Sequence, residues 1–263
     1  MAGEFQTSMN MVFLRDFWSH TMTTKYLRLD NGILHRDGID ENLSGVIFFA
    51  DLDDKTIEIH NLMLLRDNFI PCWPNPNVLL SMVDRHEILK KCMDFGFINH
   101  KIVQGKFDDK PRLEFPFVLK TGNQHRGEGK HIIKCESDIP KWNDIASLEP
   151  FFEGDSVRVL IVGKDIFGLK VINEKSWVKN SAGGDFEIIN LPDNLIDHAL
   201  SVMHKFKLEI SGVDYILNKD KFHFLEINQF PGIGASDEIT VSARKFLNTK
   251  MDLVEELSRT NNK

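Results

Sequence analysis

Two short, largely apolar stretches, 213–217 and 222–228, are joined by a polar turn. Two such runs around a tight turn are typical of a β-hairpin. The strand period of two places Glu226 and Asn228 on the same face of the second strand, and the first strand would present Asp214 beside them. We therefore predict a hairpin that carries three oxygen-bearing side chains on one face.

The predicted face of the hairpin has two interpretations. Two carboxylates and an amide oxygen suit Mg²⁺, a hard cation that is commonly shared between a few side chains and nucleotide phosphates. The alternative is an ordinary hairpin whose acidic face is solvated. The hairpin alone does not distinguish these two interpretations, so the rest of the chain has to be considered.

The remaining hydrophobic pattern predicts alternating strands and helices. We expect the proline-rich stretch 71–77 to form no regular element. His198 and His204 are expected to lie on the surface of their helix. The predicted strands are 46–50, 56–60, 99–103, 115–120, 131–135, 156–162 and 166–172, and the predicted helices are 84–95 and 193–206.

A glycine-rich loop, residues 121–130, follows a nearly all-apolar strand that ends in Lys120 and leads into another strand. Glycines allow the backbone to approach a polyanion closely, and a lysine at the strand end can reach phosphates. The loop matches neither the P-loop pattern nor the dinucleotide-binding fingerprint. A phosphate site and a plain hairpin turn both remain open on this stretch alone.

Arg158 lies within an otherwise apolar strand, between Val157 and Val159. A guanidinium on a buried sheet needs an anionic partner, and its planar fork fits phosphate or carboxylate. The hypotheses are therefore a phosphate contact or a structural salt bridge. Lys170 and the stretch 177–184, which contains Asn180 and a glycine pair, add further basic and amide groups.

Composition sets the class of protein. The chain has 263 residues, of which 42% are hydrophobic, and a formal net charge of −7, so we expect a globular, soluble protein with no general affinity for nucleic acid or anionic membranes. No apolar run approaches the roughly 18 residues needed to span a bilayer. Three widely spaced cysteines support neither a zinc site nor a disulfide framework. With no signal-peptide pattern at the N-terminus, we expect a cytoplasmic protein.

The order of these pieces resembles the ATP-grasp superfamily, and within it the RimK-like amino-acid ligases. The resemblance covers about residues 81–254 and rests on the ordered set, since no single motif is decisive. It implies an α/β (α+β) fold in which two α+β subdomains grip ATP, preceded by a reduced N-terminal α/β domain. The implied domains are 1–82 (N-terminal), 83–148 (central, with the glycine-rich loop) and 149–263 (C-terminal, with the metal site).

The resemblance also implies roles for individual residues. Arg85 stands where this family commonly has lysine. Lys170 stands where the family usually has arginine, so it keeps the positive charge but lacks the bidentate fork. The implied nucleotide-binding residues are Lys120 on the phosphates, Gln124, Gly127 and Gly129 in a closing loop, Glu149, Pro150 and Phe151 in the adenine hinge, and Glu153 on the ribose. The implied catalytic residues are Arg158, Lys170 and Asn180, and the implied ligands of Mg²⁺, or alternatively Mn²⁺, are Asp214, Glu226 and Asn228.

The implied activity is that of an ATP-dependent carboxylate-amine ligase, which forms an amide bond through an acylphosphate and releases ADP and phosphate. A phosphotransferase that uses the same cleft and a non-catalytic ATP-binding regulator are the alternatives. The implied partners are a carboxylate and an amine, which could be an amino acid, a peptide or a protein side chain. A homo-oligomer is left open.

Overall fold

The computed structural model describes residues 11–13, 28–30, 33–36, 39–42, 45–47, 55–96, 101–104, 114–122, 129–142, 144–172, 185–219 and 221–261. The chain forms two compact units, one made of Met1–Val83 with Ser236–Lys263 and the other of Asp84–Ala235. The three domains expected from the sequence, 1–82, 83–148 and 149–263, stay a prediction. No helix in the described ranges is long and apolar enough to cross a membrane.

The described elements alternate between strands and helices, which confirms a mixed α/β fold. The helices are α1 Lys55–Asp67, α2 Pro76–Leu80, α3 Arg85–Cys92, α4 Asp193–Lys205 and α5 Asp237–Asn261. The strands are β1 Met11–Phe13, β2 Arg28–Asp30, β3 Ile33–Arg36, β4 Ile39–Asn42, β5 Gly45–Ile47, β6 Cys72–Trp73, β7 Lys101–Gln104, β8 Phe117–Thr121, β9 Lys130–Ile133, β10 Ile145–Pro150, β11 Asp155–Val162, β12 Asp165–Ile172, β13 Asp185–Ile189, β14 Ile210–Asn218 and β15 Lys221–Asn228.

The first unit contains a three-stranded sheet in the order β1-β5-β6, a second sheet in the order β2-β3-β4, and helix α5 against β5 and β6. Val46 and Ile47 on β5 are fully buried. The ring of Trp73 meets that of Phe246 edge-on with centroids 5.3 Å apart. Helix α5 therefore completes the core of this unit.

Two predictions for the first unit are wrong. The stretch 56–60, expected to be a strand, lies in helix α1, whose residues Leu62 and Leu65, three positions apart, share one buried face. The proline-rich stretch 71–77 contains β6 and the start of α2. Pro76 fits there because the first helical position needs no backbone N–H donor.

The second unit contains two antiparallel sheets and confirms the predicted strands that lie within the described residues. One sheet has the order β7-β10-β8-β9 and the other has the order β13-β12-β11-β14-β15. Helix α4 packs on β11, β14 and β15 through Leu195, Ala199 and Val202. One face of the five-stranded sheet is thereby covered by α4.

The predicted hairpin is confirmed as β14 and β15, and it contains a β-bulge. Asp214 pairs with Glu226, whereas Tyr215 pairs with Phe224, so Leu225 is an extra residue between two paired positions. In a regular strand Phe224 and Glu226 would share one face, but a bulge inserts one residue and re-aims the side chains beyond it. Phe224 therefore joins the aromatic core while Glu226 stays on the face of Asp214.

His198 on α4 is not a surface residue, contrary to the prediction, whereas His204 is exposed as predicted. The ring of His198 is half-buried, with Nε2 2.9 Å from the backbone oxygen of Phe95 and Nδ1 2.8 Å from the hydroxyl of Tyr215. A carbonyl oxygen can only accept, so Nε2 donates to Phe95, and in the neutral ring Nδ1 accepts from Tyr215. His198 thus ties α4 to β14 and to the end of the 3-10 turn that follows α3.

We expect His198→Phe to lower the free energy of unfolding by about 1–3 kcal/mol, because it leaves a buried hydroxyl and a carbonyl without their partner. Urea denaturation measures the change. His204→Phe on the same helix is the matched control and should stay within about 0.5 kcal/mol of the wild type. Equal effects of the two substitutions would show that the hydrogen bonds of His198 do not stabilise the fold.

Candidate active site

Two lysines face each other across neighbouring strands of the four-stranded sheet. Lys120 on β8 and Lys130 on β9 are register partners. Like charges directly opposite each other destabilise a sheet, so this pair needs anions nearby. Glu149 on β10 supplies one, since its carboxylate forms an ion pair with Lys120 and accepts a hydrogen bond from the Ser147 hydroxyl at 3.1 Å.

Lys120 and Glu149 are buried almost completely, with 6% and 4% exposure. Burial lowers the pKa of Lys120 from its ordinary value, while the carboxylate of Glu149 opposes the shift. A buried cation is stable only when paired. Removal of either partner would therefore leave the other uncompensated in the interior.

Arg158 on β11 holds Asp214 on β14 in a bidentate ion pair. Its Nε lies 2.7 Å from Oδ1 and its second terminal nitrogen lies 2.9 Å from Oδ2. Asn228 adds a third contact, because its amide nitrogen donates to Oδ2 of Asp214 at 3.0 Å. Asp214 is only 1% exposed, so the solvated acidic face that the sequence left open does not occur here. The salt bridge considered for Arg158 is present.

Gly212 makes room for the side chain of Arg158. A Cβ atom added at Gly212 would lie 3.0 Å from Cδ and 3.1 Å from Nε of Arg158. Gly212 also pairs with Asn228 across the hairpin. The arginine therefore lies flat over β14 because that position carries no side chain.

Glu226 sits at the centre of the positive charges. Its Oε2 lies 2.6 Å from a terminal nitrogen of Arg85, at the start of α3, and its Oε1 lies 3.8 Å from Nζ of Lys130. Burial by itself raises the pKa of Glu226, but the charges of Lys130, Arg85, Lys120 and Arg158 together hold that pKa well below its ordinary value. Glu226 is thus a firmly ionised carboxylate.

The predicted adenine hinge lies where β10 ends. Glu149 and Pro150 are the last residues of β10, and Phe151 after them is half-buried. Glu153 is exposed, and its backbone oxygen accepts a hydrogen bond from the amide of Asn218 at 3.1 Å. The hinge residues therefore follow directly from the strand that carries the buried Glu149 carboxylate.

An aromatic pair lies just beyond these residues. The ring of Phe152 stacks on that of His223 with centroids 3.7 Å apart and an angle of 6° between the planes. Burial lowers the pKa of His223, and the nearby Lys221 adds to the shift. The neutral form of the imidazole is therefore favoured, and the stack ties the hinge to β15.

Other predicted site residues lie apart or cannot be placed. Lys170 on β12 is not joined to this cluster, since its ion pair is with Asp155 at 2.8 Å near the surface. Gly129 has a positive φ of 65° and its carbonyl accepts from the Thr121 amide. Gln124, Gly127 and Asn180 lie outside the described residues.

Arg85, Lys130 and Gly212 belong to the site and are absent from the residues predicted for it. Lys130 has a local signal, because it ends the glycine-rich loop and begins a strand. Arg85 lies 141 positions from Glu226 along the chain, so no local pattern connects them. A glycine within a strand often marks a position that another group approaches closely. Gly212 is such a glycine, because the side chain of Arg158 lies against it.

The oxygen donors of the hairpin face could take part in holding a hard divalent cation. Within the described ranges, no group of three or more His, Cys, Asp or Glu side chains is placed to hold a metal ion. A cation here would therefore need the amide oxygen of Asn228, and ligands from outside the protein such as phosphate oxygens, beside Asp214 and Glu226. The lysines and arginines around these carboxylates could bind the phosphates themselves.

Comparison with known proteins shows the family and the fold of the chain. The family model described as the RimK-like ATP-grasp domain matches residues 80–249. Among curated proteins, the coenzyme gamma-F420-2:alpha-L-glutamate ligase of Methanocaldococcus jannaschii is 25% identical over 152 residues, which cover 53% of each chain. The human beta-citrylglutamate synthase B is 24% identical over 157 residues, which cover 55% of this chain and 41% of the relative. The chain thus spans about half the length of the curated relatives it matches.

Solved structures extend the likeness to most of the chain. The D-alanine–D-alanine ligase of Bacillus anthracis, determined in complex with ATP, superposes with a TM-score of 0.62. The match covers 83% of this chain and 81% of that ligase at 14% sequence identity. At such low identity the comparison supports the fold, which is that of the ATP-grasp ligases.

Proposed function

Because the chain belongs to the RimK-like ATP-grasp domain family, we propose that it is an ATP-dependent carboxylate-amine ligase. It would form an amide bond through an acylphosphate and release ADP and phosphate. The observation that carries the proposal is the convergence of four cations on three carboxylates, one from the four-stranded sheet and two from the hairpin. The cations are Arg85, Lys120, Lys130 and Arg158, and the carboxylates are Glu149, Asp214 and Glu226.

The cations suit a triphosphate. Lys120 and Lys130 are point charges on adjacent strands, and Arg158, whose fork holds Asp214, adds a third positive charge near Glu226. A phosphoryl-transfer site needs positioning and charge neutralisation more than it needs covalent chemistry. We assign Lys120 and Lys130 to the phosphates of ATP and Arg158 to the phosphoryl group that is transferred.

The nucleoside would lie against the end of β10. There, backbone groups of Glu149, Pro150 and Phe151 would read the adenine, and Glu153 would hold the ribose. Glu153 supports this role because it is exposed beside the hinge, with its backbone fixed by Asn218. Gln124, Gly127 and Gly129 in the glycine-rich loop, together with Asn180, complete the proposed site, whereas Lys170 stays outside it because it pairs with Asp155 near the surface.

The oxygen donors of the hairpin fit Mg²⁺ or Mn²⁺ by their chemistry, since a hard cation prefers carboxylate and amide oxygens. Asp214, Glu226 and Asn228 would hold it. When bound, the ion would offset negative charge on the phosphate oxygens. The lowered pKa of Glu226 favours the ionised carboxylate, which is the form that a hard cation binds.

The reaction would proceed in two steps. A carboxylate oxygen of the first substrate attacks the γ-phosphorus of ATP, a new C–O–P linkage forms, and the bond from that phosphorus to the bridging oxygen of ADP breaks. The amine nitrogen of the second substrate then attacks the acyl carbon, phosphate leaves with the oxygen of the linkage, and the nitrogen loses a proton. Arg158 and the lysines would hold the anions in line during the first step.

The first substrates to test are acidic amino acids. The names of both curated relatives contain glutamate, one as a glutamate ligase and the other as a citrylglutamate synthase. We therefore propose glutamate as the first amine and citrate or a glutamyl compound as the first carboxylate.

The test is phosphate release from ATP by the purified protein with Mg²⁺ and a matrix of carboxylates and amines. The proposal predicts that phosphate release requires one member of each class and that an amide accumulates in equal amount. Phosphorylation of a single substrate, unchanged by any amine, would instead identify a phosphotransferase. Nucleotide-dependent thermal stabilisation without turnover on the whole matrix would favour a regulator.

A further inference from the structure

Both carboxylates proposed for the metal are engaged by arginines in this structure. The two oxygens of Asp214 accept from the fork of Arg158, and Oε2 of Glu226 accepts from Arg85 at 2.6 Å. Arg85 and Glu226 are 11% and 20% exposed in their side chains. Water can therefore do little to weaken this ion pair.

The charge balance of the cluster disfavours a divalent cation on its own. Among the described residues, four cations surround three carboxylates, which leaves one positive charge. Addition of Mg²⁺ alone would raise the excess to three charges in a poorly solvated region, where like charges repel strongly. Addition of a triphosphate, which carries about four negative charges, would reverse that excess.

The two arginines reach their carboxylates from different elements. Arg158 makes two parallel contacts with Asp214 and lies flat over Gly212. Arg85 reaches Glu226 from the first position of α3, where Asp84 caps the helix by accepting from the Glu87 amide. Its backbone is thus fixed by the helix, while its long side chain can exchange one oxygen partner for another.

We propose that Arg85 is a resident counter-ion of Glu226, which keeps a divalent cation from that carboxylate until a nucleotide is bound. The inference rests on the proposed metal site and deepens it, because it makes Arg85 the residue that couples metal binding to nucleotide binding. On nucleotide arrival the phosphates give Arg85 a new anionic partner. Glu226 then becomes free for the metal.

The experiment measures Mn²⁺ binding to the full chain without nucleotide, by the electron paramagnetic resonance signal of the free ion. Arg85→Gln removes the charge but keeps a hydrogen-bond donor for Glu226, which limits the damage to folding. We expect Arg85→Gln to bind Mn²⁺ more tightly than the wild type by about 5- to 150-fold, the usual range of coupling between two sites. Arg85→Lys, which retains the charge, should bind as weakly as the wild type.

Two controls keep the result specific. Lys205→Met removes an exposed cation that pairs with Asp94 at 3.6 Å, and it should leave Mn²⁺ binding unchanged. The double variant Arg85→Gln/Glu226→Gln should lose the gain, since the gain must act through Glu226. Thermal melting of every variant checks that each one is folded.

The inference is overturned if folded Arg85→Gln binds Mn²⁺ no better than the wild type, or if the double variant keeps the gain. Failure of this inference can be distinguished from failure of the proposed function. Amide formation with unchanged Mn²⁺ binding in Arg85→Gln would remove the role of Arg85 alone. A clear gain in Mn²⁺ binding without amide formation would leave a nucleotide-coupled metal site that serves another reaction.

Discussion

Glu226→Gln is expected to lower turnover by at least about a hundredfold, comparable to the loss of one preorganised electrostatic contact in an active site. Glutamine keeps the shape of the side chain but removes the charge that Arg85 and Lys130 share. It also removes one of the two carboxylates proposed for the metal. Nucleotide affinity should fall much less, because Lys120 and Arg158 remain. Phosphate release and nucleotide titration measure the two quantities.

The matched control for this substitution is Glu209→Gln, which changes an exposed glutamate in the same unit. That variant should turn over at the wild-type rate. If Glu226→Gln still releases phosphate at the wild-type rate, then the assignment of Glu226 to the reacting site is wrong. A loss of folding, read from thermal melting, would have to be separated from a loss of chemistry before any comparison.

Arg158→Met is expected to destabilise the protein by about 3–5 kcal/mol, because it leaves the buried carboxylate of Asp214 without its counter-ion. The double variant Arg158→Met/Asp214→Asn should recover much of that stability, since no uncompensated charge remains. It should not recover turnover. Urea denaturation measures stability, and phosphate release measures activity.

The ion pair between Lys170 and Asp155 provides the comparison, because the side chain of Asp155 is 57% exposed. Lys170→Met should change the free energy of unfolding by no more than about 1 kcal/mol, as expected for a surface pair. If Arg158→Met costs no more than Lys170→Met, the buried pair does not hold the two strands as described. The cycle with Asp214→Asn then isolates any remaining coupling.

The hairpin could be predicted from the sequence because its signals are local. Two short apolar runs around a polar turn located β14 and β15, and the period of two placed Glu226 and Asn228 together. The helix at α4 likewise follows from its own apolar spacing. Each of these elements carries its signal within a single window of sequence.

Other features depend on contacts across the chain and could not be predicted in the same way. The six residues that begin α1 alternate as a strand would, and only the later Leu62 and Leu65 reveal the helix. His198 is polar on an amphipathic helix, yet its partners Tyr215 and Phe95 come from distant elements. Arg85 and Glu226 likewise pair across distant elements, 141 positions apart along the chain. Local spacing predicts the face of an element on which a charged residue lies, whereas the fold determines which charged residues contact each other.

The bulge at Leu225 shows how one residue changes the meaning of a pattern. Strict alternation would place Phe224 beside Glu226 on the same face. The inserted residue sends Phe224 toward His198 and keeps Glu226 opposite Asp214. The bulge, which the sequence pattern does not predict, sets the hairpin register that places Glu226 opposite Asp214.

Mass spectrometry of the ATP-dependent product tests the ligase assignment most directly. The purified protein is incubated with ATP, Mg²⁺ and the small-molecule fraction of a cell extract, and Glu226→Gln serves as the inactive control. We predict a product whose mass is that of a carboxylate plus an amine less one water, together with an equal amount of phosphate. A phosphorylated product that persists when amines are added would contradict the account.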